Sequence, residues 1–222
     1  MLQDVLTGGH VDYISLIIKI IALLIAITVH EFSHAWMANR LGDPTAKLLG
    51  RMSLNPAVHL DPIGTLLLLF IGFGWGKPVP VDPYNLRNPR KDNALISVAG
   101  SVSNLILATL LAVIVHLIPL LPLNTYAFLY IINIILVYII RLNVMLAIFN
   151  LVPISPLDGG KVLVGILPED NARKVEYFLN KNGMILLVLF LFPFFRSSLL
   201  LTIVGPIINF LVSLLLTGSP II

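Results

Sequence analysis

The sequence contains no cysteine and little charge. Without cysteine there is neither a disulfide framework nor a thiolate metal site, so a bound metal must be held by His, Asp or Glu. Asp, Glu, Lys and Arg make up 11% of the residues, whereas soluble globular domains contain about 25%. Hydrophobic residues make up 58%, and the mean hydropathy is +0.98. These proportions exclude a soluble globular protein and indicate that lipid surrounds most of the chain.

Basic residues are also few, which excludes nucleic acid as a partner despite a pI of about 9.3. The 14 Lys and Arg lie mainly in connections between apolar runs, as membrane topology requires. The first residues, MLQDVLTGGHVDY, lack the basic region of a signal peptide. The first apolar run is therefore predicted to remain as a membrane anchor.

Several apolar runs are long enough to cross a bilayer as helices, which takes about 20 residues. They predict an all-α polytopic membrane protein with about five to six transmembrane helices in a single domain over residues 1–222. A helical hairpin over about 183–217 is expected because Pro193 and Arg196 interrupt the last run. The runs are Ile14 to Ala38, Ala94 to Leu121, Tyr126 to Leu151 and Met184 to Leu216.

The segment from Pro62 to Trp75 is apolar but too short to span, and several glycines punctuate it. It is predicted to be re-entrant, entering and leaving the membrane on the same side. Positive charge supports this independently, because basic residues favour the cytoplasmic side. Three connections carry ten of the 14 basic residues and can all be cytoplasmic only if this segment does not cross: Arg40, Lys47, Arg51; Lys77, Arg87, Arg90, Lys91; Arg173, Lys174, Lys181.

An HExxH motif, His30-Glu31-Phe32-Ser33-His34, lies in the first predicted span. Residues four apart share one face of a helix, so both imidazoles can reach one metal ion. Glu31 then lies beside the metal, where its carboxylate can take a proton from water. Ionisable side chains at membrane depth are costly unless they are paired or ligated. The motif therefore predicts a metal site within the membrane.

A catalytic zinc ion usually has three protein ligands and one open position. The candidates for the third ligand are His10, His59, His116 and the acidic residues. Asp158 is favoured because it lies in an irregular segment, NLVPISPLDGG, whose prolines end the preceding helix. Non-helical backbone at membrane depth occurs where it is buried in protein or lines a wet cavity, and a metal pocket is such a place.

These motifs resemble the site-2 protease family of intramembrane zinc metalloproteases. The resemblance rests on HEFSH and NLVPISPLDGG, and it covers residues from about 25 to 165. It is closest to the minimal branch of the family, which lacks PDZ and CBS domains. Three further stretches share it: NPAVHLDPIGTLL, GKPVPVDPYNLRNPRKDNAL and AGSVSN.

The resemblance implies one Zn²⁺ per chain, held by His30, His34 and Asp158, with Glu31 as general base. It also implies that Asn150 lies near the scissile carbonyl, where its amide can stabilise the oxyanion. The expected substrates are single-span membrane proteins within the lipid bilayer. The expected location is a prokaryotic cell membrane, with the active site toward the cytoplasm.

Other functions fit the sequence less well. A protease of the type that trims prenylated proteins takes its third ligand from a downstream helical Glu, but Glu169 and Glu176 lie in a charged segment. A metal-binding transporter would show inverted repeats, and the sequence has none. A catalytically inactive metal-binding protein would have lost its base, and Glu31 is intact. His59 is predicted to be a hydrogen-bonding loop residue, whereas the partner of Arg141 is left open.

Overall fold

The computed structural model describes residues 13–65, 74–120, 126–192 and 198–217. Within these ranges the structure is helical and contains no β-strand, so the predicted all-α class is confirmed. Short 3₁₀ turns occur at Pro56–Val58, Pro83–Asn85 and Ile118–Leu120, and a π-helical turn occurs at Leu200–Val204. The α-helices are α1 Tyr13–Leu41, α2 Thr45–Leu48, α3 Pro89–Leu117, α4 Tyr126–Asn150, α5 Asp158–Ile166, α6 Glu169–Leu191 and α7 Gly205–Leu216.

Three of these helices are long and apolar enough to cross a membrane, namely α1, α3 and α4. With 29 residues, α1 and α3 are each about 43 Å long, which exceeds the roughly 30 Å hydrocarbon core. Pro89 starts α3 at a position where its missing N–H costs nothing. The carboxylate of Asp92 accepts a hydrogen bond from the Asn88 backbone N–H and caps this end. The number of spans, about five to six, stays a prediction.

Small residues allow the long helices to approach closely. Four buried alanines lie along α1, and Ala108 and Ala112 of α3 are buried as well. Membrane helices associate through such small side chains because lipid offers no hydrophobic driving force between them. Ala108 and Ala112 belong to an apolar core that joins α3 and α4 with Val212 and Leu216 of α7. The C-terminal helix is therefore part of the bundle.

The short helix α5 packs along the first part of α3. A Cβ on Gly165 would lie 2.2 Å from the Cβ of Ala94, so only glycine allows this approach. Arg90 of α3 donates hydrogen bonds to the carbonyls of Val164 and Leu167 at the C-terminal end of α5. These carbonyls have no partner within the helix, so the guanidinium satisfies them. Contacts at its C-terminal end thus fix α5, which begins at Asp158.

Buried polar contacts hold the loops that flank the predicted re-entrant segment. Asp43 accepts hydrogen bonds from the backbone N–H groups of Thr45 and Asp82 and from the amide of Asn85. Burial alone would raise the pKa of Asp43, but these hydrogen bonds outweigh it and lower the pKa. Leu60 and Gly76 form an antiparallel bridge. The chain therefore leaves and returns at the same place, although residues 66–73 of the predicted re-entrant segment lie outside the described ranges.

The polar segment from Pro168 to Asn182 is helical from Glu169 onward. It continues without a break into apolar residues up to Leu191, so α6 combines a polar and an apolar part. Helical structure resumes at Leu200, beyond residues 193–197, which lie outside the described ranges. The two helices expected over about 183–217 are thus the apolar part of α6 and helix α7, and their pairing as a hairpin stays a prediction.

Candidate metal centre

Three ligand-type side chains meet between α1 and α5. The Nε2 atoms of His30 and His34 each lie 3.0 Å from Oδ2 of Asp158. The three ligand atoms all lie within 4.8 Å of one another, and all three residues are buried. Helix α1 places the two imidazoles one turn apart on one face, and α5 presents the carboxylate at its first residue. The structure thus brings together the three residues that the resemblance implied as ligands.

The other ring nitrogen of each histidine has an oxygen acceptor. Nδ1 of His30 lies 2.8 Å from Oδ1 of Asn104, and Nδ1 of His34 lies 2.7 Å from the carbonyl oxygen of Ile96. The Asn104 amide nitrogen donates to the Ala26 carbonyl, so its oxygen is the atom that faces His30. Each Nδ1 therefore carries a proton, and Nε2 is the nitrogen of each ring that is placed to bind a metal ion.

The three facing atoms require positive charge between them. Two imidazole nitrogens and a carboxylate oxygen converge in a buried place. Such an arrangement is unfavourable unless a metal ion, or a proton on each Nε2, lies among the three atoms. Two nitrogens and one oxygen form a donor set that Zn²⁺ accepts, with one coordination position open. The outward Nδ1 contacts are also typical of metal-binding histidines.

Gly100 allows the backbone of α3 to reach both imidazoles. A Cβ at this position would lie 2.5 Å from Cε1 of His34 and 2.7 Å from Cε1 of His30. Real Cβ contacts are never this short, so any side chain would displace the histidines. The glycine therefore lets Asn104, one turn later on α3, face His30 from close range.

The segment between α4 and α5 folds tightly to deliver Asp158. A Cβ on Gly159 would lie 2.3 Å from the carbonyl oxygens of Leu151 and Val152, so the start of α5 rests against the end of α4. Lys161 lies 3.9 Å from the other carboxylate oxygen of Asp158 and is largely exposed. The carboxylate is thus held by backbone packing and directed toward the histidines.

Glu31 lies beside the ligand group and is half-buried. A Cβ on Gly76 would lie 3.6 Å from Oε1 of Glu31, so the carboxylate faces the chain as it returns from the re-entrant segment. Arg51 donates to the carbonyls of Pro78 and Lys77 just beyond. Burial lowers the pKa of Arg51, and the negative charge of Glu31 partly offsets this. One wall of the site is therefore Gly76 together with Lys77 and Pro78, whose carbonyls Arg51 holds.

Asn150 ends α4, and its side-chain amide donates to the Leu146 carbonyl of its own helix. Among the described residues, no hydrogen bond joins it to the ligand group. It lies directly before Leu151, against whose carbonyl Gly159 packs. Asn150 is thus close along the chain to the start of α5, and its role in the reaction stays a prediction.

The other polar residues singled out in the sequence lie elsewhere. His59 is buried and donates from Nε2 to the Ser53 carbonyl, which confirms a hydrogen-bonding role in the loop. His116 contacts the carbonyls of Ala112 and Thr217 at the far end of α3. The apolar run around Arg141 suggests a buried residue, but its side chain is exposed on the outer face of α4. His10 lies outside the described residues.

Sequence reasoning missed Gly100 and Asn104 as parts of the site. Both belong to the AGSVSN motif, which enters the sequence analysis only as part of the resemblance. A glycine and an asparagine four apart inside an apolar helix are the available signal, because residues at this spacing share one face. A buried amide in such a helix needs a partner, and here that partner is a ligand.

Comparison with known proteins gives consistent matches. The sequence model of a protein family, described as peptidase family M50, matches residues 120–191. YwhC of Bacillus subtilis is 40% identical over 177 residues, which cover 78% of this chain and 80% of YwhC. Rip2 of Mycobacterium tuberculosis is 30% identical over 188 residues, which cover 82% of this chain and 70% of Rip2. Both relatives are named as zinc metalloproteases by inference.

A more distant relative comes from an archaeon. The zinc metalloprotease MJ0392 of Methanocaldococcus jannaschii is 23% identical over 192 residues, which cover 86% of this chain and 47% of MJ0392. No solved structure matches the chain.

Proposed function

Because the chain belongs to peptidase family M50, the site-2 protease family, we propose that His30, His34, Asp158 and Glu31 form the active centre of an intramembrane zinc metalloprotease. The observation that carries the proposal is the convergence of two Nε2 lone pairs and one carboxylate oxygen within 4.8 Å, with a second carboxylate beside them. Three ligands and an open position are the arrangement of a catalytic rather than a structural zinc site. The alternatives, an inactive metal-binding protein or a transporter, are not favoured.

His30, His34 and Asp158 would hold the zinc ion. When bound, zinc supplies Lewis acidity that polarises a carbonyl and acidifies water. Glu31 accepts a proton from the attacking water and afterwards delivers it to the nitrogen of the departing amine. The peptide C–N bond breaks, and a carboxylate and an amine are released. Asn150 is proposed to donate an amide hydrogen to the oxyanion, in which case its bond to Leu146 would be exchanged or supplemented.

The proposed substrates are single-span membrane proteins whose cleavage sites lie within the bilayer. A helix in lipid has every backbone group bonded to its own chain, so the scissile region must unwind to expose its carbonyl. Gly76 and the following residues held by Arg51 form a wall beside Glu31. An unwound substrate segment would lie against this wall. The site is proposed to open toward the cytoplasmic side of a prokaryotic cell membrane, within one domain spanning residues 1–222.

We expect the purified protein to cleave single-span model substrates in a zinc-dependent manner. A chelator such as phenanthroline should remove the activity because the ligand group no longer holds an ion. Added Zn²⁺ should restore it. The measurement is the initial rate of fragment formation in detergent or vesicles, with a non-chelating phenanthroline isomer as the control. Full activity in the metal-free protein would contradict the metalloprotease assignment.

The cytoplasmic orientation is testable by cysteine labelling, because the chain has no cysteine of its own. Single cysteines at Asn88 and Asn171, which are both exposed, should react with an impermeant maleimide from the cytoplasmic side. A cysteine at Asn124, which lies outside the described residues, should react from the opposite side. Labelling of Asn88 and Asn171 from opposite faces would show that the chain between them crosses the membrane an odd number of times, which would contradict the predicted topology.

A further inference from the structure

Two asparagines continue the contact of His30 into the centre of the bundle. Asn104 on α3 and Asn143 on α4 are both fully buried. Asn104 receives the His30 Nδ1–H on its oxygen, at 2.8 Å, and its amide nitrogen lies 2.7 Å from Oδ1 of Asn143. The amide nitrogen of Asn143 in turn donates to the Ile139 carbonyl, at 2.8 Å. An unbroken chain of hydrogen bonds thus runs from α4 through α3 to a proposed metal ligand.

The Ile139 carbonyl, at the end of the hydrogen-bond chain farthest from His30, sets the donor and acceptor of every bond in it. The Ile139 carbonyl can only accept, so the NH₂ group of Asn143 must face it and the Asn143 oxygen must face Asn104. That oxygen requires the NH₂ group of Asn104, which also donates to the Ala26 carbonyl of α1, at 2.9 Å. The oxygen of Asn104 is then left for His30. It accepts only from a protonated Nδ1, which leaves the lone pair on Nε2.

A purely structural role would require only that the asparagines join three helices, as polar residues in membrane bundles do. Such a role does not depend on which amide end faces which neighbour. Here both amides are oriented so that one lone pair of His30 faces Asp158. The donor-to-acceptor direction of these hydrogen bonds, and not merely their presence, therefore suits a metal site, which requires Nε2 of His30 as a ligand.

We propose that Asn143 is a positioning residue for the metal centre, acting through Asn104 to hold His30 with its Nε2 lone pair facing the metal. This inference rests on the proposed function. A leucine side chain at position 143 would remove one of the two acceptors of the Asn104 amide nitrogen and leave only the Ala26 carbonyl to hold its orientation. The amide would then be held less firmly, and a turn of its NH₂ group toward His30 would favour the proton on Nε2 and remove that atom as a ligand.

The test is the zinc affinity of Asn143→Leu, measured on the purified protein by competition with a chelating dye. We expect binding about 10–100-fold weaker than in the wild type, the range typical of lost outer-shell partners. The matched control is Asn133→Leu, because Asn133 is buried on the same helix and takes no part in this hydrogen-bond chain. Its affinity should stay within about threefold of the wild type.

A second variant, Asn143→Asp, tests whether the donor and acceptor pattern at position 143 is what zinc binding requires. In this buried apolar place the introduced carboxyl group would be neutral, with an O–H to donate to Ile139 and an oxygen to accept from Asn104. We expect this variant to keep its zinc affinity within about threefold of the wild type, because it reproduces the donor and acceptor pattern. Thermal unfolding of the metal-free proteins, compared across the variants, separates a loss of affinity from a loss of fold.

The outcomes are distinct. Weaker zinc binding in Asn143→Leu alone supports the inference. Equal weakening in Asn133→Leu, or a loss in Asn143→Asp as large as in Asn143→Leu, would overturn it. If the wild type binds zinc and cleaves substrate while Asn143→Leu binds zinc equally well, the inference fails and the proposed function stands. A wild type that binds no zinc would overturn both.

Discussion

Glu31→Gln is expected to abolish peptide-bond cleavage while leaving zinc bound. Glutamine has the same shape as glutamate, but its amide cannot accept a proton from water. General bases contribute typically about 10²–10⁴-fold to a rate, and a loss in this range is expected. Zinc should be retained because Glu31 lies beside the ligand group and is not one of the three residues within it.

The measurement combines the initial cleavage rate of a single-span substrate with the zinc content of the same preparation. Glu176→Gln is a matched control, because Glu176 is exposed on α6 and the same change of charge should leave the rate unaltered. Two results would count against the assignment. Substantial cleavage by Glu31→Gln would mean that another group is the base, and loss of zinc would mean that Glu31 is a ligand.

Asp158→Ala is expected to lose both zinc and activity. The change removes the oxygen that lies 3.0 Å from both Nε2 atoms and leaves only the two histidines of the ligand group. Loss of outer-shell partners alone costs about 10–100-fold in affinity, so removal of a direct ligand should cost more than about 100-fold. Chelator competition gives the affinity, and the cleavage assay gives the activity.

Asp170→Ala serves as the control for this change, because Asp170 is an exposed acidic residue at the start of α6. It should bind zinc and cleave substrate as the wild type does. Undiminished zinc affinity in Asp158→Ala would exclude Asp158 as a ligand, and the third ligand would then have to be sought among residues outside the described ranges, such as His10.

The sequence predicted the class of the protein because both of its signals are local. Long apolar runs predict spans, and the bounds of α1, α3 and α4 differ from the predicted ones by only a few residues at each end. The HExxH spacing likewise places both imidazoles on one face of a helix without any knowledge of the fold. Asp158 was favoured by the irregular segment around it and then implied by the resemblance, since no spacing rule connects residues so far apart.

The contacts between helices could not be predicted in the same way. That Asn104 faces His30, and that Asn143 faces Asn104, depends on how α1, α3 and α4 are rotated against one another. The rotation of each helix depends on close contacts such as that of Gly100 with the imidazoles. Residue spacing within one sequence does not show which helix faces make these contacts. Arg141 shows the same limit, because its apolar neighbours along the chain did not reveal that it lies on the outer face of α4.

The helical structure of the polar part of α6 was not predicted, for a different reason. Its charges marked it as a segment outside the membrane, and charge gives little information about secondary structure. Glu169 and Arg173 are four residues apart and form an ion pair, as charged residues on a helix surface do. The buried residues Ala172 and Leu179 face Val164 of α5, so an amphipathic pattern lies beneath the charges.

The distance along the chain between the ligands has a consequence for synthesis. Asp158 follows His30 by 128 residues, and α5 is held against α3 by contacts that form only after α4 has been made. Chains are synthesised and fold from their N-terminus. A nascent chain in which α1 has been inserted therefore has both histidines and Glu31 but lacks Asp158, the proposed third ligand. On this assignment, hydrolytic activity begins only after translation has passed the start of α5.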